Sequence, residues 1–471
     1  MKALGVTHSA CETCRAIVPA KVSERGGDVF FEKFCPEHGT SRSKVRADVD
    51  DYLRTLRCVK PAWVPQEFSG SSKAPCPSGC GYCSRHEQHL CMPIVEVTSR
   101  CDLACPVCLV DAGHPWDLAR GDLARMLDRL IAAERQIDVL NFSGGEPLVH
   151  PDLLGLVDEA LRRPEIVRVS ISTNGLALLA RPELLDQLRQ RNVVISLQFD
   201  GFRDEIYEAL RGRPLLGEKL AVLDLLRRSG ISTSLTMTVA AGVNDDQFPA
   251  VLDYFFSRPN LVSLMIQPLA FAGRGQELRG RMPRLTIPEI IQKIGAAGRS
   301  EVRAEDFQPL PCSHPLCFSL AFYLALDGGG LVSLNQLVQS PRWIDTLANR
   351  TIFGLDQEEH ERMKDMIYDI WSSQSGSSGC SPLCPCMTDR VMKTLRGMLD
   401  QMAGARFEAR QAFSITERRI KSIFLHAFQD AETFDLARVR RCCNGYPQPD
   451  GTLVPACVHN VRGRSAVRSR G

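Results

Sequence analysis

Between residues 92 and 275, short runs of alternating polarity take turns with longer amphipathic stretches. Alternation at period two predicts strands over Ile94–Thr98, Val139–Ser143, Val167–Thr173, Val193–Asp200, Ser232–Val239 and Val262–Gln267. Apolar positions at helical spacing predict helices over Leu118–Arg135, Pro151–Arg163, Pro182–Arg191, Asp204–Leu210 and Glu218–Arg228. Strand–helix units in such succession favour a parallel sheet with right-handed crossovers. Successive strand residues point to opposite faces, and one face here is repeatedly polar. Asn141 and Ser143 oppose Leu140 and Phe142; Ser170, Ser172 and Asn174 oppose Val169 and Ile171. Ser196, Gln198 and Asp200 oppose Ile195, Leu197 and Phe199; Ser234, Thr236 and Thr238 oppose Leu235, Met237 and Val239. Parallel strands buried on both faces read as continuous apolar runs instead. The pattern predicts an α/β fold: an incomplete (β/α)6 barrel over residues 92–275, whose interior lines a cavity for a polar ligand.

The flanks read differently. Residues 1–60 predict a small metal-ribbon module. Residues 61–91, rich in Pro, Ser, Gly and Cys, predict irregular chain pinned by metal. Residues 276–471 predict a C-terminal extension with a cysteine cluster and helices. Within it, 387–440 read as mostly helical, Ser372–Gly379 as a linker, and Arg462, Arg464, Arg468 and Arg470 as part of a solvated tail. That tail suggests, at most, peripheral contact with an anionic membrane surface. The 471 residues allow about two to four domains. A net charge of +2 gives no reason to expect a nucleic-acid partner. No apolar run reaches about 18 residues, and the apolar stretch at the N-terminus is too short for a signal peptide. The expected location is cytoplasmic.

Cysteine usage changes the picture. The 19 cysteines fall in clusters and read as metal ligands rather than disulfides; Cys58 stands apart as an inert thiol. Cys101, Cys105 and Cys108 lie in Ser-Arg-Cys-Asp-Leu-Ala-Cys-Pro-Val-Cys, on the loop leaving the first barrel strand. Gly144-Gly145-Glu146-Pro147 ends the second strand. Three thiolates at C-x3-C-x2-C hold three irons of a [4Fe–4S] cube and leave the fourth without a protein ligand. An open iron can bind the amino and carboxylate groups of S-adenosylmethionine (SAM) and pass one electron to its sulfonium. The resulting carbon radical takes hydrogen from unactivated C–H bonds.

Cys76, Cys80, Cys83 and Cys91 repeat the spacing and add a fourth thiol. They follow loop rather than strand and read as an auxiliary [4Fe–4S] cluster, with His86 and His89 as spare ligands. Cys11, Cys14, Cys35 and His38 form a Cys3His set at metal-ribbon spacing; zinc and a single rubredoxin-like iron both fit. Asp450-Gly451 is a hairpin signal that would fold Cys457 back toward Cys442 and Cys443. With Cys312 and Cys317 these make a candidate second auxiliary cluster, which Cys380, Cys384 and Cys386 either join or leave for another site.

The cysteine triplet and the Gly-Gly-Glu-Pro motif resemble the radical SAM superfamily. One position departs: Val107 stands where the superfamily often has an aromatic residue. The resemblance implies that Gly144, Gly145, Glu146 and Pro147 meet the SAM amino group and that Ser172 and Asn174 meet its ribose. It places Gln198 and Asp200 at the end of the fourth strand and offers Arg211 for the SAM carboxylate. An electron donor such as ferredoxin or flavodoxin is implied.

A longer set of segments narrows the resemblance: Cys-Pro-Glu-His-Gly (35–39), Cys-Gly-Tyr-Cys-Ser-Arg-His-Glu-Gln-His-Leu-Cys (80–91), Leu-Gln-Phe-Asp-Gly (197–201), Gln-Pro-Leu-Ala-Phe-Ala-Gly-Arg (267–274) and Cys-Ser-His-Pro-Leu-Cys (312–317). These resemble the tetraether lipid synthase family and its bacterial relatives, including proteins described as pterin methyltransferases. The first expectation is therefore coupling of lipid alkyl chains through a C–C bond. The alternatives are methylation of a pterin-like heterocycle and maturation of a peptide. No Asp-x-His-x2-Gly cobalamin motif is found, which disfavours a cobalamin-dependent methylation.

Overall fold

The N-terminal strands β1 (Lys2–Ala10), β2 (Ile17–Arg25), β3 (Asp28–Cys35) and β4 (Gly39–Arg46) form an antiparallel meander in that order. Ala20, Val22, Val29 and Phe31 bury one face of it, and Tyr52 of the helix Val49–Leu56 packs on them. Asp48 caps that helix, accepting from Asp50 N and Asp51 N. The computed structural model describes residues 2–70, 76–77, 81–110, 115–310, 312–337, 349, 361, 365, 385–404, 417 and 419–462. Ser372–Gly379, Cys80, Cys380, Cys384 and the tail from 463 lie outside them.

The middle of the chain is built as its polarity pattern predicts. Strands β5 (Met92–Thr98), β6 (Ile137–Gly144), β7 (Ile166–Thr173), β8 (Val194–Gln198), β9 (Thr233–Val239) and β10 (Leu261–Pro268) lie side by side in chain order. Every neighbouring pair is parallel. Helices Arg120–Glu134, Leu153–Leu161, Glu183–Gln190, Leu216–Ser229 and Phe248–Ser257 connect them. Their apolar faces share one core with Leu140, Phe142, Val169, Ile171, Ile195, Leu197, Leu235 and Met237. The opposite faces stay partly accessible, so β9 alternates buried and half-buried along its whole length. There the side chains bond across strands: Ser170 and Ser172 donate to Asn141 Oδ1 at 2.7 and 3.1 Å, and Ser196 and Thr236 hydroxyls lie 3.0 Å apart.

The C-terminal part adds strands to both edges of this sheet. β11 (Gln308–Pro309), β12 (Phe318–Ala325), β13 (Leu331–Ser333) and β14 (Ile420–His426) extend one edge, with β14 parallel to β10 and β12 antiparallel to β14. β15 (Asn444–Pro447) pairs parallel with β5 at the other edge, and β16 (Leu453–Pro455) returns beside β15. Open edges present unpaired backbone groups that must be satisfied, and these strands satisfy them. Ile420–His426 corrects the helical reading of 387–440. Its apolar residues face both ways because Ile423 and Leu425 join the main core while Ile420 and Phe424 pack on a second one, and a short apolar run cannot by itself separate strand from helix. Helices Pro385–Gly404 and Leu436–Arg440 agree with that reading. The hairpin expected at Asp450-Gly451 joins β15 to β16, with Gly451 at φ +84°. Among the described residues no helix is long and apolar enough to cross a membrane.

Candidate active site

β5 runs into the cysteine loop, and the end of β6 clamps it. Gly145 N donates to Thr98 O and Glu146 N to Arg100 O, both at 2.7 Å. Main chains approach this closely only where side chains are missing. A Cβ on Gly144 would lie 2.3 Å from Thr98 O, and one on Gly145 2.1 Å from Arg100 O. From the other side, Gly273 (φ +54°) brings its loop against Cys108, where Arg274 N donates to Cys108 O at 2.9 Å. Inside the loop Leu103 N donates to Cys101 Sγ at 3.4 Å and Cys108 N to Cys105 O at 3.2 Å. Cys101 is exposed, and Cys105 and Cys108 are half-buried. Three reachable thiols thus stand on one fixed loop.

The strand ends beside this loop carry a buried set of charges. Glu146 accepts from Thr173 Oγ1 (2.5 Å), Asn174 N (2.7 Å) and Leu148 N (3.0 Å), tying β6 to β7 and capping the turn Pro147–Val149. Burial pushes its carboxyl up to about 7. Asn174 Nδ2 reaches Asp102 Oδ1 in the cysteine loop at 2.5 Å. Arg211, expected to meet a ligand carboxylate, forks onto Asp200 (2.7 and 2.9 Å) and touches Thr238 Oγ1 (3.1 Å) and Cys105. Asp200 is fully buried and also receives Gln198 Nε2 and Thr238 N. Sequence reasoning missed Lys219, which is fully buried and donates to Asn174 O (2.5 Å) and Gln198 Oε1 (2.8 Å). Burial and the nearby Arg211 lower its ammonium to about 8. Its signal was a lysine in the apolar stripe with Val222, Leu223 and Leu226.

The other cysteines gather in three places. Cys11, Cys14, Cys35 and His38 bring their ligand atoms within 4.8 Å of one another, the only such set among the described residues. That compactness suits a single ion; thiolates around a cube stand farther apart. Cys91 leaves the set expected from the Cys76, Cys80, Cys83 spacing and touches the thiols of Cys312 and Cys443. Gln88 Nε2 donates to its sulfur at 3.4 Å. His89 meets Glu134 (3.0 Å) and the Cys91 sulfur (3.3 Å), while His86 turns to Cys442 O (3.0 Å). Cys317, Cys442 and Cys457 form the third group. Cys76 packs against the small core that contains Val439, Val454 and Val458, and Cys83 is buried. Burial pushes the Cys457 thiol up to about 11 and Cys442 well above the usual range.

Residues 95–255 match the model of the radical SAM superfamily. The chain carries a radical SAM domain. Residues 3–46 of this radical SAM enzyme match the HMPTM N-terminal zinc ribbon domain. Over 98% of its length it is 26% identical to 7,8-dihydro-6-hydroxymethylpterin dimethyltransferase of Methanocaldococcus jannaschii, of which 95% is covered. It is 30% identical to the GTP 3′,8-cyclase of Streptomyces coelicolor over 34% of this chain and 47% of that one. Among solved structures, SuiB of Streptococcus suis bound to S-adenosylmethionine aligns over 44% of this chain and 46% of that chain, at 13% identity and a TM-score of 0.36.

The donor set of the radical SAM loop fits a [4Fe–4S] cube with one open corner: three thiols, a backbone N–H already on one sulfur, and a guanidinium beside another. With SAM bound, that cluster supplies a 5′-deoxyadenosyl radical. What the chain itself contributes is rigidity and charge balance. Gly144 and Gly145 fix the loop, Asn174 braces it through Asp102, and Asp200 acts on it through Arg211.

Proposed function

We propose that this radical SAM enzyme methylates a pterin-like heterocycle. The observation that carries the reading is similarity along nearly the whole chain to a pterin dimethyltransferase, ribbon included. The sheet face supports it physically. Asn141, Ser170, Ser172, Ser196 and Thr236 line it with amide and hydroxyl groups that suit a polar ring; an alkyl chain there would desolvate them without replacement. Lipid coupling needs an apolar groove, which the Met- and Phe-containing segment 387–440 would have to supply. In the helix Pro385–Gly404, however, Val391, Met392, Leu395 and Met398 are buried in one core with Leu320, Phe322 and Leu324 of β12.

In this reading Cys101, Cys105 and Cys108 hold the SAM cluster. Gly144, Gly145, Glu146 and Pro147 shape the amino end of the SAM site, and Ser172 and Asn174 its ribose end. Gln198, Asp200 and Arg211 close it. Two auxiliary [4Fe–4S] clusters occupy the Cys91–Cys312–Cys443 and Cys317–Cys442–Cys457 groups, the one missing corner of each coming from among Cys76, Cys80 and Cys83. The ribbon holds one zinc or iron, and a low-potential ferredoxin or flavodoxin supplies electrons.

Anaerobically reconstituted enzyme, given reductant, 7,8-dihydro-6-hydroxymethylpterin and methyl-labelled SAM, is expected to yield 5′-deoxyadenosine and a labelled pterin. Replacing Cys101, Cys105 and Cys108 with Ala should abolish both products and leave auxiliary iron. Unlabelled pterin, together with hydrogen transfer from a lipid tail and a product of joined chains, would replace this reading with alkyl coupling.

A further inference from the structure

Arg438 is buried, and its guanidinium is aimed at sulfur. Nε donates to Cys317 Sγ at 3.2 Å, and Nη2 donates to Ala427 O at 2.7 Å. It also lies in the field of Cys457. The helix that carries it, Leu436–Arg440, is capped by Asp435 and leads directly into Cys442. One arginine thus stands beside two thiols from distant parts of the chain, Cys317 and Cys457, both of which lie in the field of Cys442. The nearby carboxylate, Asp435, accepts from Thr7 Oγ1 (2.6 Å) and Ala437 N (3.0 Å). Arg46 and Arg441 add positive charge around the neighbouring His314, which is itself held neutral by burial.

A buried guanidinium is costly unless it is paired with negative charge. A neutral thiol and a peptide carbonyl do not supply that charge; a thiolate-ligated cluster does. A four-thiolate iron–sulfur cube carries net negative charge, and the charge grows by one on reduction. A fixed cation in hydrogen-bond contact with a ligand sulfur therefore favours the reduced form more than the oxidised one. Hydrogen bonds to sulfur and local charge are levers on the potential of such clusters.

We infer that Arg438 is a positioning residue that raises the reduction potential of the cluster at Cys317, Cys442 and Cys457, making it an acceptor for single electrons. The inference rests on the reading that these cysteines hold an auxiliary cluster. The electron comes from the same low-potential donor that the superfamily reaction uses, and one cluster is reduced as one donor is oxidised.

The test uses the full-length Cys101, Cys105, Cys108→Ala variant, which isolates the auxiliary clusters, and reads redox titrations by electron paramagnetic resonance. Adding Arg438→Gln should keep the iron content and move one auxiliary midpoint to lower potential; Arg438→Lys should move it less. Pulsed resonance on protein labelled with nitrogen-15 arginine, with Arg438 intact, should show nitrogen coupled to that reduced cluster. This second measurement decides even where Arg438→Gln loses metal. An unchanged midpoint at full iron content, or no arginine nitrogen coupling, overturns the inference. A Cys101, Cys105, Cys108→Ala protein with no iron beyond the ribbon site instead overturns the cluster reading itself, and the inference with it.

Discussion

Replacing Gly145 with Ala tests whether the Gly-Gly segment acts as a clamp on the cysteine loop. The added Cβ would sit 2.1 Å from Arg100 O. An acceptable carbon–oxygen contact is about 3.3 Å, so the two main chains must part by roughly 1 Å. The bonds Gly145 N to Thr98 O and Glu146 N to Arg100 O, each 2.7 Å, would stretch past about 3.5 Å and fail. Two half-buried backbone bonds at about 1–3 kcal/mol each put the cost at roughly 2–6 kcal/mol. The damage lands on the residue next to Cys101. Gly217→Ala is the control, because no atom lies within 4 Å of its Cβ and it is helical; there the change should be neutral or stabilising by about 0.5–1 kcal/mol. Denaturant unfolding and 5′-deoxyadenosine formation check both variants. Gly145→Ala is expected to lose stability and SAM cleavage while keeping auxiliary and ribbon metal. Unfolding and cleavage like those of the wild type would refute the clamp.

Glu146 should leave a pH signature. Its carboxyl rises from 4.5 to about 7 in the fold through burial, so its contribution is full below the unfolded value and is lost as pH climbs through about 7. The stability advantage of wild type over Glu146→Gln should shrink by about 3 kcal/mol between pH 5 and 8; a flat difference in urea titrations would refute this. Lys219→Met strips donors from Asn174 O and Gln198 Oε1 and is expected to cost roughly 2–4 kcal/mol. A loss below about 1 kcal/mol in the same titration would show that the lysine is dispensable. His38→Ala should remove one metal ion per chain by elemental analysis and lower the unfolding temperature; unchanged metal content would exclude His38 as a ligand.

Much of the parallel sheet was legible because its strands alternate so strictly. Val167–Thr173 was expected and Ile166–Thr173 is found; Ser232–Val239 was expected and Thr233–Val239 is found. The radical SAM loop was legible because spacing within one loop is a local property. Arg211 was legible as a candidate, but its bond to Asp200 was not, since only the fold brings the end of β8 against the helix Asp204–Arg211. β14 was misread because Ile420–His426 is apolar on both faces, and its neighbours β10 and β12 lie far away in sequence.

The auxiliary cysteines show where local spacing stops informing. Cys76, Cys80, Cys83 and Cys91 look like one set in sequence, yet Cys91 belongs with Cys312 and Cys443. The reason is register. β5 and β15 pair in parallel with Asn444 opposite Met92, so the residues one step earlier, Cys443 and Cys91, are brought side by side. Met92 N donates to Cys443 O at 3.1 Å and fixes the match. Cys442, just outside the strand, lies in the field of Cys457 first, then of its neighbour Cys443 and of Cys317. One short strand pairing thus divides a Cys-Cys dipeptide between two groups. The docking of β15 on β5 therefore assembles the Cys91–Cys443 contact, and it rests on the short parallel pairing of Asn444 and Gly445 with Met92 and Pro93.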